Sequence, residues 1–313
     1  MKRWHIFTLV GILVLLIGLF AAGNYFFHYA FVPSEKDFLG SDTPGTAKNK
    51  EDIARNEWFT NEDNRSTWHI TNDGLKLSAI YLPAEKTTNK TVIVAHGYMG
   101  DAETMSVYAK MYHDMGYNVL IPDARAQGES EGKYIGFGWP ERKDYVKWID
   151  KVIDTNGADS EIVLYGISMG GATVMMTSGE ELPSNVKAIV EDCGYTSVKD
   201  ELSYQMSELF SYLPHFPLMQ VTSLITRVRE GFFFKDASAV NQLKKNKTPI
   251  LFIHGDADTF VPYKMLNTLY TATDAPKEKY VVHGAEHAEA YNTDPDKYKA
   301  TVQSFLNEYV AQN

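Results

Sequence analysis

The segment Gly166-Ile167-Ser168-Met169-Gly170-Gly171 follows the apolar run Glu161–Tyr165 and precedes the helix-like stretch Ala172–Ser178. This is G-x-S-x-G between a strand and a helix, the context in which the pattern carries chemistry. The tight turn lifts the Ser168 hydroxyl out of the sheet and points a helix N-terminus at any negative charge that develops there. A serine nucleophile needs a base and a carboxylate to orient that base. In the order serine, acid, histidine both lie downstream. Two aspartates, Asp256 and Asp258, follow the apolar run Pro249–His254, and two histidines, His283 and His287, follow Glu278–Val282. Asp256 and Asp258 are two positions apart, so strand periodicity does not choose between them. His283 belongs to the strand end and His287 to the loop after it.

Other reactive types fit less well. Cys193 and Asp192 follow the run Val186–Glu191, but Cys193 has no nucleophile motif and reads as a packing thiol. Asp123 and Arg125, at another strand end, read as a charge pair tying their loop. The H-x-x-x-H spacing of His283 and His287 spans a strand end and a loop rather than one helix face, so no metal site is expected. No G-x-G-x-x-G follows a strand, so no dinucleotide or other cofactor is expected.

These residues need a scaffold that presents several strand ends together. Thr67–Thr71 and Leu75–Leu82 alternate around Asn72-Asp73-Gly74, a hairpin signal. Thr91–Ala95, Asn118–Pro122 and the four runs named above then alternate with helical stretches such as Ala102–Met115 and Trp139–Thr155. That pattern predicts an α/β fold with a mostly parallel sheet flanked by helices, over residues 66–313. Its sites lie at the C-terminal strand ends. Residues 200–247 break the alternation with Leu202, Met206, Leu209 and Phe210, two prolines and Phe232-Phe233-Phe234, and read as a small helical cap.

Ahead of the domain, Lys2 and Arg3 precede the apolar run Ile6–Ala22, which continues through aromatic residues to Val32. The run is long enough to span about 30 Å of hydrocarbon. Residues 1–32 therefore read as a transmembrane anchor, with Trp4 at one interface and Tyr25, Phe26, Phe27 and Tyr29 at the other. The charges put the N-terminus in the cytoplasm and the later residues outside. A cleaved signal peptide ending near Ala22 is the rival, and gives a secreted protein instead. Residues 33–65 read as a polar linker with a short helix near Glu51–Phe59.

Composition narrows the partners. The chain has 313 residues, 30 Lys+Arg against 40 Asp+Glu, 44% hydrophobic residues and one cysteine. It is globular, lacks an intrachain disulfide, and is too acidic to expect a nucleic-acid partner.

The stretches Ala95-His96-Gly97-Tyr98, Asp123–Ser130, Gly166–Gly171, His254–Pro262 and Gly284–His287 together resemble the α/β-hydrolase superfamily. The likeness is to its serine esterases and prolyl-oligopeptidase-like peptidases, in particular a group of bacterial membrane-anchored or exported hydrolases. It runs from about Trp68 to the C-terminus. The resemblance implies Ser168 as nucleophile, Asp258 as acid by its place three residues before the Val of Val261-Pro262, and His287 as base. It implies an oxyanion hole from the backbone N–H groups of Tyr98 and Met169, and a structural role for His96. The expected activity is hydrolysis of a small-molecule ester through an acyl-enzyme. A peptidase, an acyltransferase and a non-catalytic binding protein are the alternatives.

Overall fold

The computed structural model describes residues 3–34, 50–61, 63 and 65–311, so most of the expected linker lies outside the described residues. Helix α1 (Arg3–Phe31) and helix α2 (Lys50–Thr60) precede the first hairpin, β1 (Ser66–Asn72) and β2 (Leu75–Leu82). The hairpin closes through Asp73 and Gly74, both at positive φ, with Asn72 paired to Leu75. Then come β3 (Lys90–Ala95), a 3-10 turn (Ala102–Met105), α3 (Ser106–Asp114), β4 (Asn118–Pro122), α4 (Glu141–Asn156), β5 (Glu161–Ile167), α5 (Met169–Thr177) and β6 (Val186–Asp192). The chain ends with α6 (Val198–Leu209), α7 (His215–Glu230), α8 (Ala239–Leu243), β7 (Ile250–Gly255), α9 (Lys264–Thr271), β8 (Lys277–Val282), α10 (Ala290–Thr293) and α11 (Pro295–Tyr309).

The strands form one sheet in the order β1-β2-β4-β3-β5-β6-β7-β8. β2 pairs antiparallel with β1 and with β4, and every pairing from β4 to β8 is parallel. The inner strands are apolar on both faces because helices cover both. Along β3 the side chains alternate: Ile93 and Ala95 join a core with α4, α5 and α9, whereas Val92 and Val94 join one with α3 and α11.

Between β6 and β7 the chain leaves the sheet and returns at one neck. There Val198 N–H donates to Ala237 at 2.9 Å, Val240 N–H donates to Thr196 at 3.2 Å, and Ser197 bridges Ser238. The excursion of α6 and α7 thus closes at Ser238, short of residue 247. Helix α8 lies outside it and packs beside α5.

A membrane anchor separate from the domain is what the apolar run predicts, and the structure departs from this. Helix α1 is long and apolar enough to cross a membrane, and residues 3–18 are exposed. From Leu19 the helix packs on the domain through Leu19, Ala22, Gly23, Phe26, Phe27, Ala30 and Phe31, an i, i+3, i+4, i+7 stripe. Phe27 and Phe31 are 0% exposed and stacked on each other. Phe27 is therefore core rather than part of an interfacial belt. Gly23 lets the helices approach closely, since a Cβ there would lie 2.6 Å from Val221. The helix end is also tied down: Ile135 N–H donates to the Phe31 carbonyl at 2.8 Å, and Arg229 donates to Asn24 Oδ1 at 2.7 Å. Helix α2 packs too, through the buried Phe59.

Candidate active site

Ser168 sits between β5 and α5 with φ +56° and ψ −119°, a sparsely populated conformation for a non-glycine residue. Two glycines permit the turn. A Cβ on Gly166 would lie 2.1 Å from the Gly170 carbonyl oxygen, and one on Gly170 would lie 2.1 Å from that of Ala95. Any larger residue at either position would push the elbow off the sheet. Ser168 N–H donates to the Asp192 carbonyl at 2.8 Å, which fixes the elbow against the end of β6.

The loops after β7 and β8 converge on this turn. Ser168 Oγ lies 2.8 Å from His287 Nε2, and His287 Nδ1 lies 2.8 Å from Asp258 Oδ2. The other Asp258 oxygen accepts from the N–H groups of Phe260 and Val261, each at 2.9 Å. Burial raises the pKa of Asp258, but the bonds from His254 and His287 outweigh it and hold the carboxyl at about 2. Phe260 packs its ring against that of His287.

The two open choices separate in space. Asp256 accepts from Gly284 N–H at 2.7 Å and pairs with His283, which is 97% exposed. The structure thus brings Ser168, Asp258 and His287 together and leaves Asp256 and His283 as a second, outer pair. His254 is a contributor that sequence reasoning missed. Its Nε2 lies 3.3 Å from Asp258 Oδ2 and 3.0 Å from the Val261 carbonyl oxygen, and the ring is buried. Its signal was a histidine at the C-terminal end of β7, four positions before the acid.

The loop after β3 completes the rim. A Cβ on Gly97 would lie 3.6 Å from Ser168 Cβ, so the Gly97-Tyr98 backbone runs beside the nucleophile. Met169 opens α5, where an N–H has no acceptor within the helix. His96 is buried and accepts from Ala124 N–H at 2.9 Å, bracing the loops after β3 and β4.

Asp123 and Arg125 do not form the expected charge pair. Asp123 accepts from Ala102 and Glu129 N–H, whereas Arg125 forks onto Asp144 at 2.7 Å and also reaches Asp73. Ala126, directly after Arg125, turns the loop with a positive φ. Cys193 is buried, and burial pushes its thiol well up. Its sulfur lies within 4.8 Å of donor atoms of Asp258 and His287. To hold a cation, that group would have to break the His287–Asp258 hydrogen bond and ionise a disfavoured thiol.

Ser168 and Met169 open into a cavity of about 100 Å³. Tyr98, Phe137, Met206, Leu218, Phe234 and Phe260 line it, as do Phe26, Tyr29 and Ala30 of α1.

This sheet order, with a strained Ser168 elbow at the centre, is that of an α/β hydrolase. Residues 103–313 match the prolyl oligopeptidase family, and the chain belongs to that family of hydrolases. It is 29% identical over 227 residues to the uncharacterized protein YqkD of Bacillus subtilis, covering 72% of this chain and 74% of that one. It is 24% identical over 228 residues to lysophosphatidylserine lipase ABHD12 of Danio rerio, covering 66% of this chain and 55% of that one. Among solved structures, the Pyrococcus furiosus esterase Pf2001 superposes with a TM-score of 0.67 at 24% identity, over 90% of this chain and 98% of that one.

Proposed function

We propose that the chain is a serine hydrolase that cleaves a carboxylic ester through an acyl-enzyme. The observation that carries this reading is the continuous hydrogen-bond path from Ser168 Oγ through His287 to Asp258, at the floor of an apolar cavity. Ser168 attacks the ester carbonyl while His287 Nε2 takes its proton. Asp258 holds the tautomer with Nδ1–H inward and stabilises the imidazolium. The N–H groups of Tyr98 and Met169 receive the oxyanion, each such donor being worth about 2.7–4 kcal/mol of barrier. The alcohol leaves with the proton from His287. Water then attacks the acyl-enzyme, giving its proton to His287, and the acid is released.

The apolar lining favours an ester with an apolar acyl group. The name of the lipase relative supports ester over peptide bonds. The family match supports a peptidase as a second reading. Helix α1 supports a single-pass membrane protein with the catalytic domain outside the cell. The test is labelling by a fluorophosphonate, followed by turnover of short esters against blocked dipeptide amides. Wild type is expected to label and to cleave the esters, and Ser168→Ala to do neither. Labelling with amide cleavage alone would shift the assignment to the peptidase, and labelling of Ser168→Ala would end it.

A further inference from the structure

The cavity above Ser168 is walled in part by the helix that is apolar enough to enter a membrane. Phe26, Tyr29 and Ala30 of α1 face it, and the rings of Phe26 and Tyr29 lie 5.1 and 5.4 Å from that of Phe210 at the end of α6. One wall of the cavity is thus made by α1 against the α6–α7 turn.

The length of α1 sets where a bilayer would lie. About 30 Å of hydrocarbon takes about 20 helical residues. Counted from Trp4, that reaches Gly23, which is already packed on Val221 and Ile225 of α7. Among the described residues, the unbroken exposed stretch of α1 is 3–18, shorter than about 30 Å of hydrocarbon requires. A bilayer crossed by α1 must therefore meet the domain at the level of α7.

The contacts also show which end of α7 meets it. Gly23 touches Val221 and Ile225, whereas Asn24 and His28, farther along α1, bond Arg229. The two helices run in the same sense, so the start of α7 projects back along the apolar part of α1. Among the exposed side chains there are Tyr212 at 79% and Phe216 at 74%, large apolar rings of the kind that seat in the interface.

We propose that the substrate is a single-chain ester drawn from the surface of a bilayer, its acyl chain lying between α1 and the α6–α7 excursion and its carbonyl at Ser168. This rests on the ester-hydrolase reading above and adds the substrate class and its side of entry. The polar groups on the chain's route, Glu201, Gln205 and Thr222, are few. Burial raises the Glu201 carboxyl to about 8, which favours its neutral form in the cavity.

The full chain, reconstituted in phosphatidylcholine vesicles, is assayed on monooleoylglycerol in the bilayer and on water-soluble monobutyrylglycerol. Wild type is expected to prefer the oleoyl ester in kcat/KM by at least about tenfold. Ala30→Trp, which fills the cavity wall, is expected to abolish that preference. The double variant Tyr212→Asp, Phe216→Asp lies outside the cavity. It is expected to lose at least about fivefold on the embedded ester and to keep butyryl turnover within about twofold. Butyryl turnover without an oleoyl preference, or a double variant equal to wild type on vesicles, overturns the inference and leaves the hydrolase reading standing. A chain that cleaves neither ester and takes no fluorophosphonate overturns both.

Discussion

The phenol of Tyr98 donates a 2.8 Å hydrogen bond to the main-chain carbonyl of Ala30. One partner is in the loop beside Ser168 and the other in the last turn of α1. The same tyrosine ring stacks on Phe137, which in turn packs on Phe31. The expected oxyanion loop is therefore braced by the helix that precedes the whole domain. Since a helix leaves its last carbonyls without intrahelical partners, the bond also caps α1.

Tyr98→Phe removes that brace and keeps the backbone donor. A net hydrogen bond is worth about 0.5–1.5 kcal/mol, so kcat is expected to fall about two- to tenfold with little change in KM. Steady-state kinetics on a soluble butyryl ester check it. An unchanged kcat would show that the loop holds its place without α1.

Asp258 Oδ2 lies between two imidazoles, at 2.8 Å from His287 and 3.3 Å from His254. Asp258→Asn is expected to lower kcat by about 10⁴, since it reverses the tautomer that His287 needs. His254→Phe removes one of the two imidazoles that hold the Asp258 charge. It is expected to lower kcat by about tenfold, for a loss of roughly 1.4 kcal/mol in orienting the acid. Circular dichroism beside the kinetics separates this from unfolding. A His254→Phe variant that is folded and fully active would restrict His254 to packing.

The strand positions and the elbow were legible because each strand is a short apolar run with its turn chemistry at the end. Gly166 and Gly170 are required by contacts that the G-x-S-x-G spacing encodes. The choice of Asp258 over Asp256 was not legible from periodicity, because both follow β7. It rested on the resemblance, and in space the chain turns between them so that Asp256 meets His283 instead. The packing of α1 was hidden for another reason. A stripe of Phe27 and Phe31 reads the same whether lipid or protein covers it, and only the tertiary partners distinguish the two. The partner of Arg125 was missed because Asp144 lies on α4, brought close by the fold rather than by sequence.

The outer pair gives a direct contrast. Asp256→Asn and His283→Ala alter a solvent-exposed interaction, and exposed ion pairs contribute about 0–1 kcal/mol. Each variant is expected to keep kcat/KM within about threefold of wild type. A loss as large as that of Asp258→Asn would mean that the loops after β7 and β8 rearrange during turnover.

Stability is expected to fall on the alkaline side. Burial raises Glu191 and Glu201 to about 8, Glu141 to about 7 and Asp192 to about 6. Groups raised in the folded state contribute stability that is complete below their unfolded pKa and is lost as pH rises through the folded one. The loss therefore runs from about pH 5 to pH 8. Asp258 acts oppositely: its contribution is present above its unfolded pKa and is lost as pH falls toward about 2. Melting temperatures at pH 5.5 and 8.5 check the slope. Glu201→Gln keeps an acceptor for Gln205 and removes the titration, so the gap should narrow by about 2–4 °C for each kcal/mol recovered. An unchanged gap would mean that water reaches Glu201.

Where α1 ceases to be an anchor and becomes part of the core can be read by shortening the chain. Residues 3–18 touch nothing that the domain needs, whereas Phe27 and Phe31 are fully buried and Ala30 meets Tyr98. A chain of residues 19–313 is expected to keep the thermal stability of the full chain in detergent. A chain of residues 33–313 loses both buried rings, and truncating one such ring costs about 3–5 kcal/mol. It also opens the cavity on the α1 side. Its melting temperature is expected to fall by about 10 °C or more, and fluorophosphonate labelling of Ser168 to weaken. Calorimetry on the two chains decides the matter, because equal melting temperatures would show that the domain closes its own core without α1.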